Sequence, residues 1–279
     1  MSATSTVGAV HPIEHLRYVA RAQGADPASL AAETAHALGS MHFDPTGLVV
    51  ACRRIVERHP FTGPLWWLCS SVLTSSEPFE VVWELADRVR CDATPSRLAI
   101  EIPDEADVVT IGAPDLVAEG LGRRGDVRVL ALDVGHTATG FVRRLERHDV
   151  DYEPVDAGAA GSVVREADLV LVEALATDGA RVVAPMGTST VAAAASAWGT
   201  EVWLVAGVGR RLPAQVIDVM EQRLAELREH TDPWDLDVEV LPATLVTDVI
   251  GPLGRLPMGP RAIIPDCGVA SELLRRPAM

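Results

Sequence analysis

Between residues 107 and 205, short apolar runs alternate with helical stretches, and no other feature restricts the fold of this chain as much. The runs Asp107–Ile111, Val127–Leu132, Tyr152–Val155, Leu169–Val172 and Val202–Val205 have the length of strands. Most are rich in β-branched residues without alternating polar positions, the pattern of strands covered on both faces. Between them Asp115–Leu121, Thr139–Arg147, Ser162–Ala167 and Thr188–Trp198 read as helices. Pro213–His230 is a longer amphipathic helix, with Val216, Met220, Leu224 and Leu227 on one stripe. Such alternation predicts an α/β chain with a Rossmann-like, doubly wound parallel sheet. In sheets of this kind the ligand binds in the crevice at the carboxyl ends of the strands.

The first hundred residues have a different pattern. Ile13–Ala22, Pro27–Leu38, Pro45–His59, Pro64–Thr74 and Pro78–Arg90 show helical spacing, separated by proline, glycine or capping residues. Pro27 and Pro64 suit a first helical turn, where the missing N–H costs nothing. Trp66 and Trp67 are adjacent and point to different sides of their helix, which predicts a helix packed on both sides or one used in a subunit contact. The pattern changes at Leu98–Glu101. The expected organisation is a helical N-terminal domain, residues 1–104, followed by the α/β domain, residues 105–279. Near the end, residues 231–237 read as a loop and Leu236–Leu241 as a strand, and the tail from Gly251 is rich in glycine and proline.

All 24 basic residues are arginine, and the chain has no lysine. The composition fits a GC-rich bacterial genome. Whatever its origin, it excludes a lysine Schiff base and a P-loop lysine on a nucleotide phosphate. The net charge of −15 repels a phosphate backbone, and no arginine-rich run carries interleaved aromatics, so nucleic acid is not an expected partner. Leu169–Val172 and Ala192–Ala195 are among the longest apolar runs and are too short to span a bilayer; no membrane partner is expected. The N-terminus shows no basic stretch followed by an apolar one. Cys52, Cys69, Cys91 and Cys267 have neither CxxC pairing nor zinc-ligand spacing, and the first three sit among apolar helical residues as small hydrophobes. A cytoplasmic location is expected.

The loops that follow strands are where chemistry is sought. After Val127–Leu132 comes Asp133-Val134-Gly135-His136-Thr137-Ala138-Thr139-Gly140, in which polar side chains and two glycines suit close backbone approach to an anion. The same residues suit a structural role, with Thr137 or Thr139 capping the helix and Asp133 bonding the loop. After Leu169–Val172 comes Glu173, a carboxylate placed for acid/base work or for an ion pair. Met186-Gly187-Thr188-Ser189-Thr190 opens an alanine-rich helix whose hydroxyls and free N–H groups suit capping or a phosphate. The expected ligand-binding residues are Gly112, His136, Thr137, Thr139, Gly140, Gly187, Thr188 and Ser189, with Asp133 and Glu173 as catalytic candidates. No histidine pair has metal-site spacing and no G-x-G-x-x-G follows the first strand, so neither a metal nor a cofactor is expected.

The stretch from Ala167 to Arg211, ADLVLVEALATDGARVVAPMGTSTVAAAASAWGTEVWLVAGVGRR, resembles the signature of the initiation factor 2B alpha/beta/delta family, which includes sugar-phosphate isomerases. Residues 133–140 and VEVLPATLVTDVIGPLG at 238–254 are similar to its upstream and closing segments, so the resemblance covers about 150 residues. It implies a C-terminal-domain homodimer. Isomerases of the family act on methylthioribose-1-phosphate or ribose-1,5-bisphosphate through a cysteine, an arginine and an aspartate. Here the cysteine region reads Thr110-Ile111-Gly112-Ala113, the Arg-Pro pair reads Gly135-His136, and Leu175 stands at the aspartate. Pro185 stands at the family lysine. Losing such groups costs on the order of 10²-fold or more in rate. The expectation is a diverged member that binds a small phosphorylated metabolite or a protein partner without the isomerase chemistry. The alternatives are an isomerase with Glu173 and Asp133 as relocated acid/base groups, and a structural dimerising subunit.

Overall fold

A computed structural model describes residues 27–40, 44–134, 138–259 and 262–274. The expected helix Ile13–Ala22 lies outside these residues. Five helices come first: α1 (Pro27–Gly39), α2 (Pro45–Arg58), α3 (Gly63–Thr74), α4 (Pro78–Arg90) and α5 (Thr94–Glu101). Proline occupies the first turn of α2 to α5, and the Asp44 carboxylate caps α2 by accepting from the Gly47 N–H at 2.8 Å. Trp66 and Trp67 are both buried, so α3 is covered on both sides, as their adjacency required.

Then follow β1 (Asp107–Ile111), α6 (Asp115–Leu121), β2 (Arg128–Asp133), α7 (Ala138–Arg147), β3 (Asp151–Asp156), α8 (Ala160–Glu166) and β4 (Leu169–Glu173). After β5 (Ala176–Thr177) and β6 (Arg181–Pro185) come α9 (Thr188–Trp198), β7 (Glu201–Val205) and α10 (Ala214–Arg228). The chain closes with β8 (Val238–Pro242), β9 (Asp248–Gly251), β10 (Gly254–Pro257) and α11 (Ser271–Leu274). Seven strands form one sheet in the order β10-β9-β7-β4-β1-β2-β3, parallel except for the β9–β10 hairpin. This is the doubly wound α/β arrangement expected. The chain runs outward from β1 through β2 to β3, then returns to β4 and runs the other way, so the order reverses between β1 and β4. The crevice of such a sheet belongs at the carboxyl ends of these two strands.

Five of the strands read from sequence match to within a residue at each end, and the sixth, Leu236–Leu241, is β8, starting two residues later. Four segments were not read as strands: β5, β6, β9 and β10. β6 and β8 pair antiparallel in a small second sheet with β5. Thr94–Glu101 also forms a helix where the α/β pattern was taken to begin, and it packs on α6 and on the β9–β10 hairpin. Cys91 corrects a further expectation. Cys52 and Cys69 are buried, but Cys91 is an exposed helix C-cap.

One apolar cluster joins the helical part to the α/β part. Side chains of α1 to α4, Trp66 and Trp67 among them, pack with Ala176, Val183, Leu212, Val216, Ile217 and Met220. The start of α3 makes the closest approach. The Gly63 N–H donates to the Leu175 carbonyl at 3.1 Å, and a Cβ on Gly63 would lie 2.3 Å from that oxygen and 3.1 Å from the Gly209 carbonyl. Both obstacles are backbone and cannot swing aside.

Gly63→Ala is therefore expected to cost about 1–3 kcal/mol in urea unfolding, as overpacking does. An unchanged midpoint would mean that α3 is not seated on these loops. Burial, helped by the charge of Asp266, pushes the Cys267 thiol up to about 12. A hydrogen bond to Cys52 and burial raise that of Cys69. A thiol reagent at pH 8 should modify Cys91 in the native protein well before the other three, read by mass spectrometry.

Candidate functional site at the carboxyl ends of the strands

Glu173 ends β4 beside the reversal point, and the structure gives its carboxylate a full set of partners. Oε2 accepts from the backbone N–H groups of Leu116 at 2.8 Å and Val117 at 3.1 Å, in the first turn of α6. Oε1 pairs with the Arg210 guanidinium at 2.7 Å, and Arg210 also donates to the Ala174 carbonyl at 2.5 Å. Glu173 is 7% exposed and Arg210 4%. The first-turn amides of a helix are short of acceptors, and a buried guanidinium needs an opposite charge; one carboxylate serves both.

The loop after β7, residues 206–211, is held by two further carboxylates. Asp92 accepts from the Val208 N–H at 2.8 Å and, through its other oxygen, from the backbone and hydroxyl of Thr94. Asp266 accepts from the Gly209 N–H at 3.0 Å and pairs with Arg211 at 2.6 Å. A strand end, the helical part and the C-terminal segment thus converge on one loop. Sequence reading missed Arg210 and its role; the only available signal was the Arg210-Arg211 doublet after a buried strand.

Asp133, the second acid/base candidate, ends β2, opposite Asp156 of β3 in the register. It is half-buried and engaged in an interaction of its own. Strands β2 and β4 flank β1 on opposite sides, so at the usual strand spacing the backbones of Asp133 and Glu173 stand about 10 Å apart. The two candidates thus stand on opposite sides of β1.

A cleft of about 270 Å³ does open at the strand ends. Gly112 and Val134, after β1 and β2, line one side; Pro185 and Met186 line another, and the segment Trp234 to Asp237 closes it. Gly112 and Gly187 both take left-handed backbone conformations, with φ of 76° and 91°. At Gly187 a Cβ would press on Ile111 and Val134 at 3.3 Å, so glycine lets α9 start close against β1 and β2. Trp234, in a short 3₁₀ turn, is 75% exposed at the rim of this cleft. Asp235 and Asp237 make the lining acidic.

The start of α9 differs from expectation. Thr188 is buried and its hydroxyl donates to the Pro185 carbonyl at 2.6 Å, turned away from solvent. The Glu239 carboxylate, carried by β8, accepts from the Ser189 N–H at 2.8 Å and the Ser189 hydroxyl at 2.6 Å. Thr188 and Ser189, read from sequence as ligand contacts, thus have internal partners at this helix start. The favoured anion at this helix N-terminus is an internal one, because a carboxylate from the neighbouring strand satisfies the free amides. Gly140 is exposed in the first turn of α7, and Thr139 belongs to the same turn; His136 and Thr137 lie outside the described residues. Leu175 packs with the helical core cluster, not into the cleft. Among the described residues, no group of three or more His, Cys, Asp or Glu side chains is placed to hold a metal ion, and no helix is long and apolar enough to cross a membrane.

Glu173→Gln keeps an oxygen for the α6 amides but leaves Arg210 buried without a counter-charge. It is expected to cost about 3–5 kcal/mol in urea unfolding. A loss under about 1 kcal/mol, the range of exposed pairs, would show that the pair is open to solvent.

No family model matches the chain, and no curated protein matches it. Solved structures do. The Pyrococcus horikoshii OT3 translation initiation factor eIF-2B superposes with a TM-score of 0.74 at 18% identity, covering 91% of this chain and 98% of that one. A chain of the tetrameric eIF2B-beta2-delta2 complex from C. thermophilum gives 0.69 at 15% identity over 88% and 90%. The delta subunit of eIF-2B from A. fulgidus gives 0.58 at 15%, over 88% of each chain. This chain therefore has the fold of the eIF2B-like initiation-factor structures, across its helical part and its sheet together.

Proposed function

We propose that this chain is a diverged eIF2B-like subunit that works by binding a partner chain or a small phosphorylated metabolite, without aldose–ketose isomerisation. The observation that carries this reading is the saturation of Glu173. Enolisation of a sugar phosphate needs a carboxylate or thiol within hydrogen-bond reach of the sugar carbons, free to gain or lose a proton. Glu173 is committed to two backbone amides and a buried arginine. The region that resembles the isomerases' cysteine segment, Thr110 to Ala113, holds no cysteine, and Leu175, at the aspartate, is part of the core. Asp133 stands a strand away on the other side of β1.

An assembly role is supported from a different side. Ile100 on α5 and Leu253 and Leu256 on the β9–β10 hairpin are exposed apolar side chains on elements that pack together at the free edge of the large sheet. Clusters of this kind mark contact surfaces. The C. thermophilum structure with the same fold is a tetramer, and a homodimer is the corresponding proposal here.

Incubation with methylthioribose-1-phosphate or ribose-1,5-bisphosphate, followed by phosphorus NMR, is expected to give no ketose product. Turnover abolished by Asp133→Asn or Glu173→Gln in folded protein would overturn the non-catalytic reading. Sedimentation at micromolar concentration should give a dimer or larger species; a monomer there would remove the assembly role.

A further inference from the structure

The second half of helix α7 carries three arginines, Arg143, Arg144 and Arg147, which together with Gly140 and Glu146 line a depression of about 680 Å³. In this acidic chain most arginines that meet a neighbour meet a carboxylate: Arg124, Arg128, Arg181, Arg210, Arg211 and Arg255 each pair with at least one. Arg143 and Arg147 pair with none among the described residues. Arg143 is exposed, and Arg147 donates only to the Arg143 backbone carbonyl, at 3.2 Å. Arg144 is partly buried against Asp115, yet its Nε is shielded from solvent with no hydrogen-bond acceptor.

The carboxylates nearby have other work. Glu146 accepts from the Tyr152 hydroxyl at 2.8 Å, Glu119 pairs with Arg123, and Asp92 holds the Val208 amide and Thr94. Asp115 pairs with Arg144. Arg144 and Arg147 also line a second hollow of about 570 Å³, with Arg90, which pairs with Asp87, His148 and the carboxylates Asp92, Asp115 and Glu119. Gly140 leaves its side open, since a Cβ there would meet nothing within 4 Å. A cation near a helix C-terminus is favoured by the helix dipole, which accounts for Arg144 and Arg147 in the last turn but not for Arg143 beside them.

We infer that this face of α7 binds a small molecule bearing two or more oxyanion charges, such as a diphosphate or polyphosphate group, held by the exposed guanidiniums of Arg143 and Arg147, with Arg144 beside them. Guanidinium forks take oxyanions in paired hydrogen bonds, and residues at i and i+4 on a helix lie close enough to share one ligand. A concave volume of this size is in the range of small-molecule sites. Charge also separates this site from the strand-end cleft. That cleft is lined by Asp235 and Asp237, and its helix N-terminus is occupied by Glu239. The inference deepens the reading of the chain as a binding subunit and rests on it for purpose, while the site is tested by its own readout.

The test is calorimetric titration of inorganic pyrophosphate into the full chain at low ionic strength, beside Arg143→Gln/Arg147→Gln and a control pair on α2, Arg54→Gln/Arg58→Gln. Thermal melts verify that each variant is folded. Saturable binding is expected, weakened about tenfold or more by the α7 pair, as loss of charge-assisted hydrogen bonds implies. The control pair is expected to change it less than about twofold. No binding of pyrophosphate at millimolar concentration would overturn the inference, as would equal weakening by both pairs. Binding of a polyglutamate peptide where pyrophosphate fails would overturn the small-molecule assignment in favour of a protein segment. Because the readout is binding, this result is independent of whether the chain turns over a sugar phosphate.

Discussion

The Glu173–Arg210 pair is the interaction on which the rest of the strand-end architecture depends. Taking two charges out of water costs several kcal/mol per ion, and their attraction returns that only when the remaining hydrogen-bonding capacity is also used. Here it is used: Glu173 takes the first-turn amides of α6, and Arg210 takes the Ala174 carbonyl. The pair ties β4, the helix after β1 and the loop after β7 into one unit. That loop also receives Asp92 from the helical part and Asp266 from the C-terminal segment. The helical part docks on the same place, with the start of α3 against the Leu175 carbonyl and Gly209. Charge and close backbone packing therefore meet at one point in the fold.

This point is where a doubly wound sheet offers its ligand crevice. In this chain the offer is largely withdrawn. One carboxylate at the reversal point is neutralised internally, and the helix N-terminus that could hold a phosphate holds Glu239. What stays open is a small acidic cleft under an exposed tryptophan, which repels an anion. Among the described residues, Arg143 and Arg147 on α7 are without a carboxylate partner. Function follows the site more closely than the fold.

The central strands were legible because they are buried on both faces, so continuous β-branched runs survive in the sequence. β5, β6, β9 and β10 were not. β9 and β10 are four residues each, with Gly251, Gly254 and Pro257 at their ends, and the sequence signature of that stretch is a turn. β6 runs out of the Asp178-Gly179 turn and closes on Pro185, which leaves an apolar centre of only three residues, Val182 to Ala184. The site was half legible. Glu173 and the Gly187 helix start were found from position alone. Their partners were hidden, because Glu239 reaches Ser189 across fifty residues of chain and Arg210 comes from the loop after another strand. Whether a carboxylate at a strand end is free or paired is decided by tertiary contacts that local pattern does not encode.

Amide hydrogen exchange at Leu116 and Val117 in the native protein tests the central claim most directly. If Glu173 is locked in place, both N–H groups are bonded to its carboxylate and exchange only through large-scale opening, with protection approaching that of the central strands. Exchange near the rate of an unprotected helix end would contradict this. It would return Glu173 to the crevice as a free carboxylate, and with it the prospect of acid/base chemistry at the strand ends.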